Sequence, residues 1–265
     1  MITVVLNVYK RLNSLETQIR SIKEQSVKPK KIFIWNNSGR DISVKDKNII
    51  QSSSSFNLGV WARFAYALNA KTKYVAIFDD DTIPGRKWFE NCLRTIQRNK
   101  GLLGTRGVRF SSKKKYIVGE EYGWNHPNET TKKVDIVGHC WFFEREWLSI
   151  FWRELPSLKQ SLYVGEDIHF SYLLKKYLNL NTYVPPHPKN NHQLWGSLPE
   201  YALKFGVDNN AISYDPKRQN EMNSVYLDYI KKGFQINPST YTKASGFIKD
   251  TKSLLGKKIK KIIRI

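Results

Sequence analysis

Sulfur and acidic residues are both scarce in this sequence. Its 265 residues include two cysteines and two methionines, and 23 Asp and Glu stand against 44 Lys and Arg. Cys92 and Cys140 lie far apart and fit no metal or redox spacing, so a disulfide framework and a thiolate metal site are excluded and two buried, reduced thiols are expected. No apolar run reaches the roughly 18 residues that a spanning helix needs, so no integral membrane protein is expected. The opening residues lack a basic stretch and a cleavage site, and no signal peptide is expected. Internal repeats and long Gly/Ser linkers are also missing; residues 52–55 form only a short polar run. With 40% hydrophobic and 13% aromatic residues the chain is not disordered, and its length is close to the upper limit for one domain with a large core.

The shortage of acids leaves a net charge of +21. Such a field favours anionic partners: nucleic acid, anionic lipid or a phosphorylated substrate. Its distribution is uneven. Residues 231–265 carry ten basic side chains against the single acid Asp250, which places +9 there and +12 on residues 1–230. Within that tail Phe247, Ile248, Leu254, Leu255, Ile259, Ile262 and Ile263 recur at helical spacing, with lysines on the remaining face. A basic amphipathic helix of this kind suits an anionic membrane interface, where each Lys or Arg contributes on the order of 1 kcal/mol. The alternative is a stripe packed on the main domain or on a partner subunit. No nucleic-acid recognition motif is present, so that partner is not expected. The division is therefore a main domain over 1–230, with halves of about 1–100 and 101–230, and a basic amphipathic tail over 231–265.

The first hundred residues alternate strand and helix. Residues 3–8 and 74–78 are nearly continuous apolar runs, the pattern of strands buried on both faces of a parallel sheet, and residues 32–35 form a third. Asn13 and Glu16 have the spacing of a capping box before a helix carrying Leu15, Ile19 and Ile22. A second helix follows Asn57-Leu58-Gly59, and a third carries Phe89, Leu93 and Ile96. Strand–helix–strand units cross over right-handed, so the strands are parallel and ligands belong at their C-terminal ends. The fold class is α/β, a mainly parallel mixed sheet flanked by helices.

At those ends stand residues 7–11, the pair Asn36-Asn37, and Asp79-Asp80-Asp81. Three adjacent carboxylates after a buried strand repel one another unless a cation neutralises them, and Mg2+ or Mn2+ takes oxygen ligands while leaving positions open for phosphate. A helix cap from Asp81 or Thr82, ahead of a helix beginning near Pro84, is the competing reading. Farther on, Gly165-Glu166-Asp167 precedes a helical apolar pattern through Leu178. Both carboxylates then fall at a helix N-terminus, which favours their ionised form.

Asp79-x-Asp81 after Tyr-Val-Ala-Ile-Phe resembles the DxD motif of GT-A glycosyltransferases. So do, in order, Ile34-Trp35-Asn36-Asn37, Asn57 with Arg63-Phe64, residues 137–143 and Gly165-Glu166-Asp167-Ile168, which look especially like the exostosin-type enzymes. The opening Val-Tyr-Lys-Arg is equally at home in the bacterial family 2-like transferases. The resemblance spans about residues 2–195 and implies a GT-A fold that transfers a sugar from a nucleotide-diphosphate donor, with UDP as the expected nucleotide. It implies that Val8, Tyr9, Arg11, Asn36, Asn37, Asn57, Arg63, Asp79 and Asp80 meet the nucleotide sugar. Asp79 and Asp81 would hold Mn2+ or Mg2+, with a late histidine, His192 ahead of His187, as a further ligand that tilts the choice to Mn2+. Asp167 is the expected general base and Glu166 would orient the acceptor or that base, with inversion and retention both left open. Trp124 and Trp141 are the expected acceptor platforms, against the alternative of core aromatics. The acceptor implied is a cell-surface polysaccharide or lipid-linked glycan, with the enzyme peripheral on the cytoplasmic face of the membrane. Two rivals stand beside this reading: a basic membrane- or nucleic-acid-binding protein on a degenerate transferase fold, and a metal-dependent phosphoryl- or nucleotidyl-transfer enzyme, which would want a Gly-rich loop not seen here.

Overall fold

A computed structural model describes residues 1–156, 161–205 and 215–237. The amphipathic pattern over 245–265 lies outside them. Among the described residues nine strands form one mixed sheet. Its first half is β1 (Ile2–Val8), β2 (Lys31–Asn36), β3 (Ile49–Ser53) and β4 (Tyr74–Phe78), mutually parallel in the order β3-β2-β1-β4. Their crossovers carry α1 (Leu15–Lys23) and α2 (Ala62–Tyr66). Every residue of β4 is buried, as is all of β1 except Asn7, because both sheet faces are covered. A buried Val, Leu, Ile or Phe contributes roughly 1.5–3 kcal/mol each, so these two strands anchor the domain.

The second half is not parallel throughout. It follows α3 (Trp88–Arg98) and comprises β5 (Gly101–Phe110), β6 (Val118–Gly123), β7 (Lys132–Val134), β8 (Ile136–Glu144) and β9 (Asn181–Val184). β8 inserts antiparallel between β4 and β5, β9 returns parallel beside β5, and β7 and β6 pair antiparallel with β9 and β5. The short α4 (Leu148–Phe151) precedes α5 (Glu166–Leu178), followed by α6 (Pro199–Phe205) and α7 (Pro216–Lys231). α5 and α7 share a smaller core of Val164, Ile168, Leu173, Val225, Tyr226 and Tyr229 beside the main one. No helix among the described residues is long and apolar enough to cross a membrane.

Two local expectations are corrected. Asn13 sits inside a 3-10 turn and makes no capping box: Ser14 precedes α1, and its hydroxyl donates to the carbonyls of Arg11 and Asp80. The helix expected near Pro84 begins at Trp88, because Gln18 and Gln25 reach across from α1 and its end to hold the intervening segment at the Asp79, Thr82 and Gly85 carbonyls. No cap therefore accounts for the three aspartates.

Candidate active site

β4 delivers Asp79, Asp80 and Asp81 to the C-terminal edge of the central parallel strands. β8 brings the partner. Trp141 pairs with Gly104 and Gly138 with Arg106, so His139 and Cys140 together face the single residue Thr105. The bulge places His139 at φ 64°, a left-handed conformation that costs a non-glycine residue roughly 1–2 kcal/mol. Its carbonyl accepts from Asp79 N at 2.9 Å, and its Nδ1 lies 3.4 Å from Asp81 Oδ1 without a hydrogen bond. Ligand atoms of Asp79, Asp81 and His139 come within 4.8 Å of one another. Two carboxylates and an imidazole whose buried Nδ1 is orphaned fit a divalent cation.

Electrostatics differ sharply along the triplet. Burial would raise the Asp81 carboxyl, but His139 and Arg11 beside it bring it down to about 2. Burial raises Asp79 and Asp80 above the usual carboxylate range, Arg63 opposing it at Asp79, and Asp81 adding to it at Asp80 before Arg11 opposes. Asp80 turns toward the loop after β1, accepting from Lys10 N, Arg11 N and Arg11 Nη1 at 3.1, 3.3 and 2.8 Å. Its carboxylate and Arg11 thus brace that loop against β4.

Arg63 is 3% exposed. It is neither a solvated helix arginine nor one extended toward a diphosphate. Nη1 pairs with Asp79 Oδ1, Nη2 pairs with Glu166 Oε1 at 2.6 Å, and the guanidinium lies 4.6 Å from the Trp141 ring centroid. One cation therefore ties the acidic strand edge to the start of α5. Gly165, at φ 106°, opens that helix, and a Cβ there would meet Val225 Cγ1 of α7 at 2.8 Å. Asp167 Oδ1 accepts from Ile168 N at 2.7 Å. Burial lifts the Asp167 carboxyl to about 6, and burial with the nearby charges of Asp167 and Asp79 raises Glu166 against the pull of Arg63. Glu166 and Asp167 line a cavity of about 120 Å3 with Tyr116, Tyr163, Met222 and Val225. A larger cavity of about 460 Å3, lined by Lys71, Lys73 and Arg145 among others, opens at the opposite strand end and takes no part in this site.

Other expected residues fall elsewhere. His192 begins an exposed 3-10 turn and packs tilted against Trp195, ring centroids 4.8 Å apart; it is not in the metal-ligand group, which corrects that expectation. His187 is fully buried, its Nδ1–H donating to Pro185 O and its Nε2 accepting from Gly196 N. Residues 195–197 are buried under α3 and β5: Trp195 Nε1 donates to Pro188 O, and a Cβ at Gly196 would strike Thr105 and Trp88. Trp141 is a core residue behind Arg63, so it offers no acceptor platform. Trp124 stacks on His139 at 5.1 Å and backs the candidate metal ligand instead.

Near the nucleotide edge, Val8 O accepts from Asn37 N, and half-buried Tyr9 follows at the strand end. The asparagines organise loops. Asn37 Nδ2 donates to Asn57 Oδ1 and Gly59 O, and its Oδ1 accepts from Leu58 N. Asn36 bonds Arg40 O, Ser53 Oγ and both the backbone and hydroxyl of Ser38. What sequence reasoning missed is His139. A lone imidazole inside the apolar run of residues 136–143 was its one available signal.

Residues 3–152 match the family model described as Glycosyl transferase family 2. The fold resembles the crystal structure of GalNAc-T7 with UDP, GalNAc and Mn2+ (TM-score 0.55, 12% identity, 81% of this chain and 47% of that one). It also matches S. aureus TarS 1-349 in complex with UDP (TM-score 0.47, 16% identity, 70% of this chain and 57% of that one). At those identities the likeness concerns the fold, and this chain spans about half the length of either protein. No curated protein sequence matches.

Proposed function

The chain belongs to glycosyl transferase family 2, and from that premise we propose that it moves a sugar from a nucleotide-diphosphate donor, UDP-linked, to a glycan acceptor. The observation that carries the reading is the junction at Arg63: a candidate metal site on one side and a paired acidic helix start on the other, bridged by one buried cation. Asp79, Asp81 and His139 would hold Mn2+ or Mg2+, which when bound neutralises charge on a departing diphosphate as a Lewis acid. Arg11 and Asp80 fix the loop that follows Val8 and Tyr9, where the nucleotide would lie. The UDP-bound and Mn2+-containing relatives support that donor and metal in kind.

Asp167 is the group suited to take the proton of the acceptor hydroxyl. With its carboxyl near 6 it is mostly ionised at neutral pH and still basic enough to accept, the match that general-base catalysis favours. Glu166, held by Arg63, orients that end of α5. The acceptor we assign is a cell-surface polysaccharide or lipid-linked glycan, reached from the cytoplasmic face with residues 245–265 as the membrane address.

Asp167→Asn is expected to leave donor binding unchanged while transfer falls by roughly 10²–10⁴-fold, the usual contribution of a general base. For the parent enzyme kcat should drop as pH falls through about 6, where Asp167 takes up its proton. Undiminished turnover in the variant removes the base assignment.

A further inference from the structure

Next in sequence to one wall of the cavity beside Asp167 stands a run of lysines that the transfer reaction itself does not require. Tyr116 forms one wall, and the three residues before it are Lys113, Lys114 and Lys115. At 3.8 Å per residue their Cα atoms lie no more than about 11, 8 and 4 Å, respectively, from that of Tyr116. All three are exposed, and none has an ion-pair partner among the described residues. Two cations near the cavity are already matched. Arg106 pairs with Glu121 at 2.9 Å, and Arg218, stacked 3.9 Å from the Tyr163 ring centroid, pairs with Glu221 at 2.7 Å.

The lysine turn is also held in place. Asn223 Oδ1 of α7 accepts from Tyr116 N at 2.9 Å, and Tyr226, from the same helix, donates its hydroxyl to Ser112 O at 2.6 Å. Both ends of the triplet are thereby fixed to the helix that supplies Met222 and Val225 to the cavity. Three like charges side by side repel, and a rigid mount prevents them from spreading apart; fixed negative charge on a ligand relieves that repulsion. A neutral acceptor would need none of this.

We propose that the Lys113–Lys115 turn is an acceptor subsite for an anionic glycan, one whose phosphate or carboxylate groups lie on the sugar units next to the hydroxyl presented to Asp167. The inference rests on the reading of the Asp167 cavity as the acceptor site. It adds the substrate's charge: a polyanionic chain rather than a neutral one.

The test uses the full chain and three oligosaccharide probes of equal length: a galacturonate oligomer, a glycerol-phosphate oligomer and a neutral galactose oligomer. Binding is followed by calorimetry at low and physiological salt. Both anionic probes are expected to bind roughly tenfold or more tightly than the neutral one, a difference of about 1.4 kcal/mol. Combined Lys113→Gln, Lys114→Gln and Lys115→Gln should erase that preference. Replacing Lys257, Lys258, Lys260 and Lys261 by Gln should leave it intact. Equal affinity for charged and neutral probes overturns the proposal. So does a preference that survives in the triple variant, that disappears with the tail lysines instead, or that is shown only toward anionic phosphatidylglycerol vesicles. A thermal shift with UDP and Mn2+ on the same protein separates the two levels: a shift without anionic preference sinks this inference alone, whereas no shift sinks the donor reading beneath it.

Discussion

At Arg63 a single guanidinium, 3% exposed, faces Asp79 on one side and Glu166 on the other. Removing one partner of a buried ion pair strands the remaining charge, which costs far more than the intact pair contributes. Arg63→Met keeps most of the volume and should destabilise the fold by ~3–5 kcal/mol in urea denaturation. A change within ±0.5 kcal/mol would mean that the carboxylates do not depend on it. The aspartates, Glu166 and Asp167 were legible in the sequence because acids after an apolar strand or before an apolar helix stand out locally. Arg63 was legible as a site residue but not in its role, since its partners lie 16 and 103 residues away. His139 left only the mark of a lone imidazole in an apolar run: what aims it is a bulge and a positive φ, and neither shows in residue type.

Two elements, β8 and α5, position the chemistry, and each does so through a backbone irregularity. At α5 it is Gly165, whose φ of 106° and closeness to Val225 exclude a side chain. Gly165→Ala is expected to cost on the order of 1–3 kcal/mol from strain, read as a lower Tm. The push against α7 should also raise KM for the acceptor more than for the donor; equal effects on both would place Gly165 outside acceptor positioning. The parallel strands β1, β2 and β4 were readable as apolar runs because burial on both faces removes alternation. The second half of the sheet was not, because β8 enters between β4 and β5 from far along the chain and β9 returns beside β5. The capping box at Asn13 failed for a related reason: Ser14 and Gln18 are bound to the β4 loop, and these tertiary bonds override the local signal.

For the whole molecule, two buried histidines set the acid limit of stability. His169 donates from Nε2 to Phe151 O and accepts at Nδ1 from the Tyr229 hydroxyl, while His187 is saturated by Pro185 O and Gly196 N. Burial lowers both to about 4 from an ordinary 6.5. Between those values the unfolded chain binds more protons than the folded one. The histidine contribution is therefore full above pH 6.5 and lost as pH falls toward 4, by roughly 3 kcal/mol per histidine, while Asp167 and Glu166, raised by burial, act in the opposite sense over the same range. The urea midpoint of His169→Gln should therefore depend less on acid across that range than that of the parent; an identical pH dependence in the two contradicts the neutral burial. At this scale the +21 resolves into parts: nine units on residues 231–265, and twelve on residues 1–230, where Lys113, Lys114 and Lys115 stand unpaired among the described residues. The scarcity of acids makes the few that are buried at one strand edge more conspicuous.

The central claim is that Asp79, Asp81 and His139 hold a divalent cation against a nucleotide diphosphate. Calorimetric titration of UDP into the full chain, with Mn2+ and with EDTA, tests it most directly. Binding is expected only with Mn2+, at least tenfold weaker in His139→Ala and absent in Asp81→Ala, while His192→Ala binds as the parent does. UDP binding that is equally tight in EDTA, or that is lost with His192 and kept without His139, would contradict it.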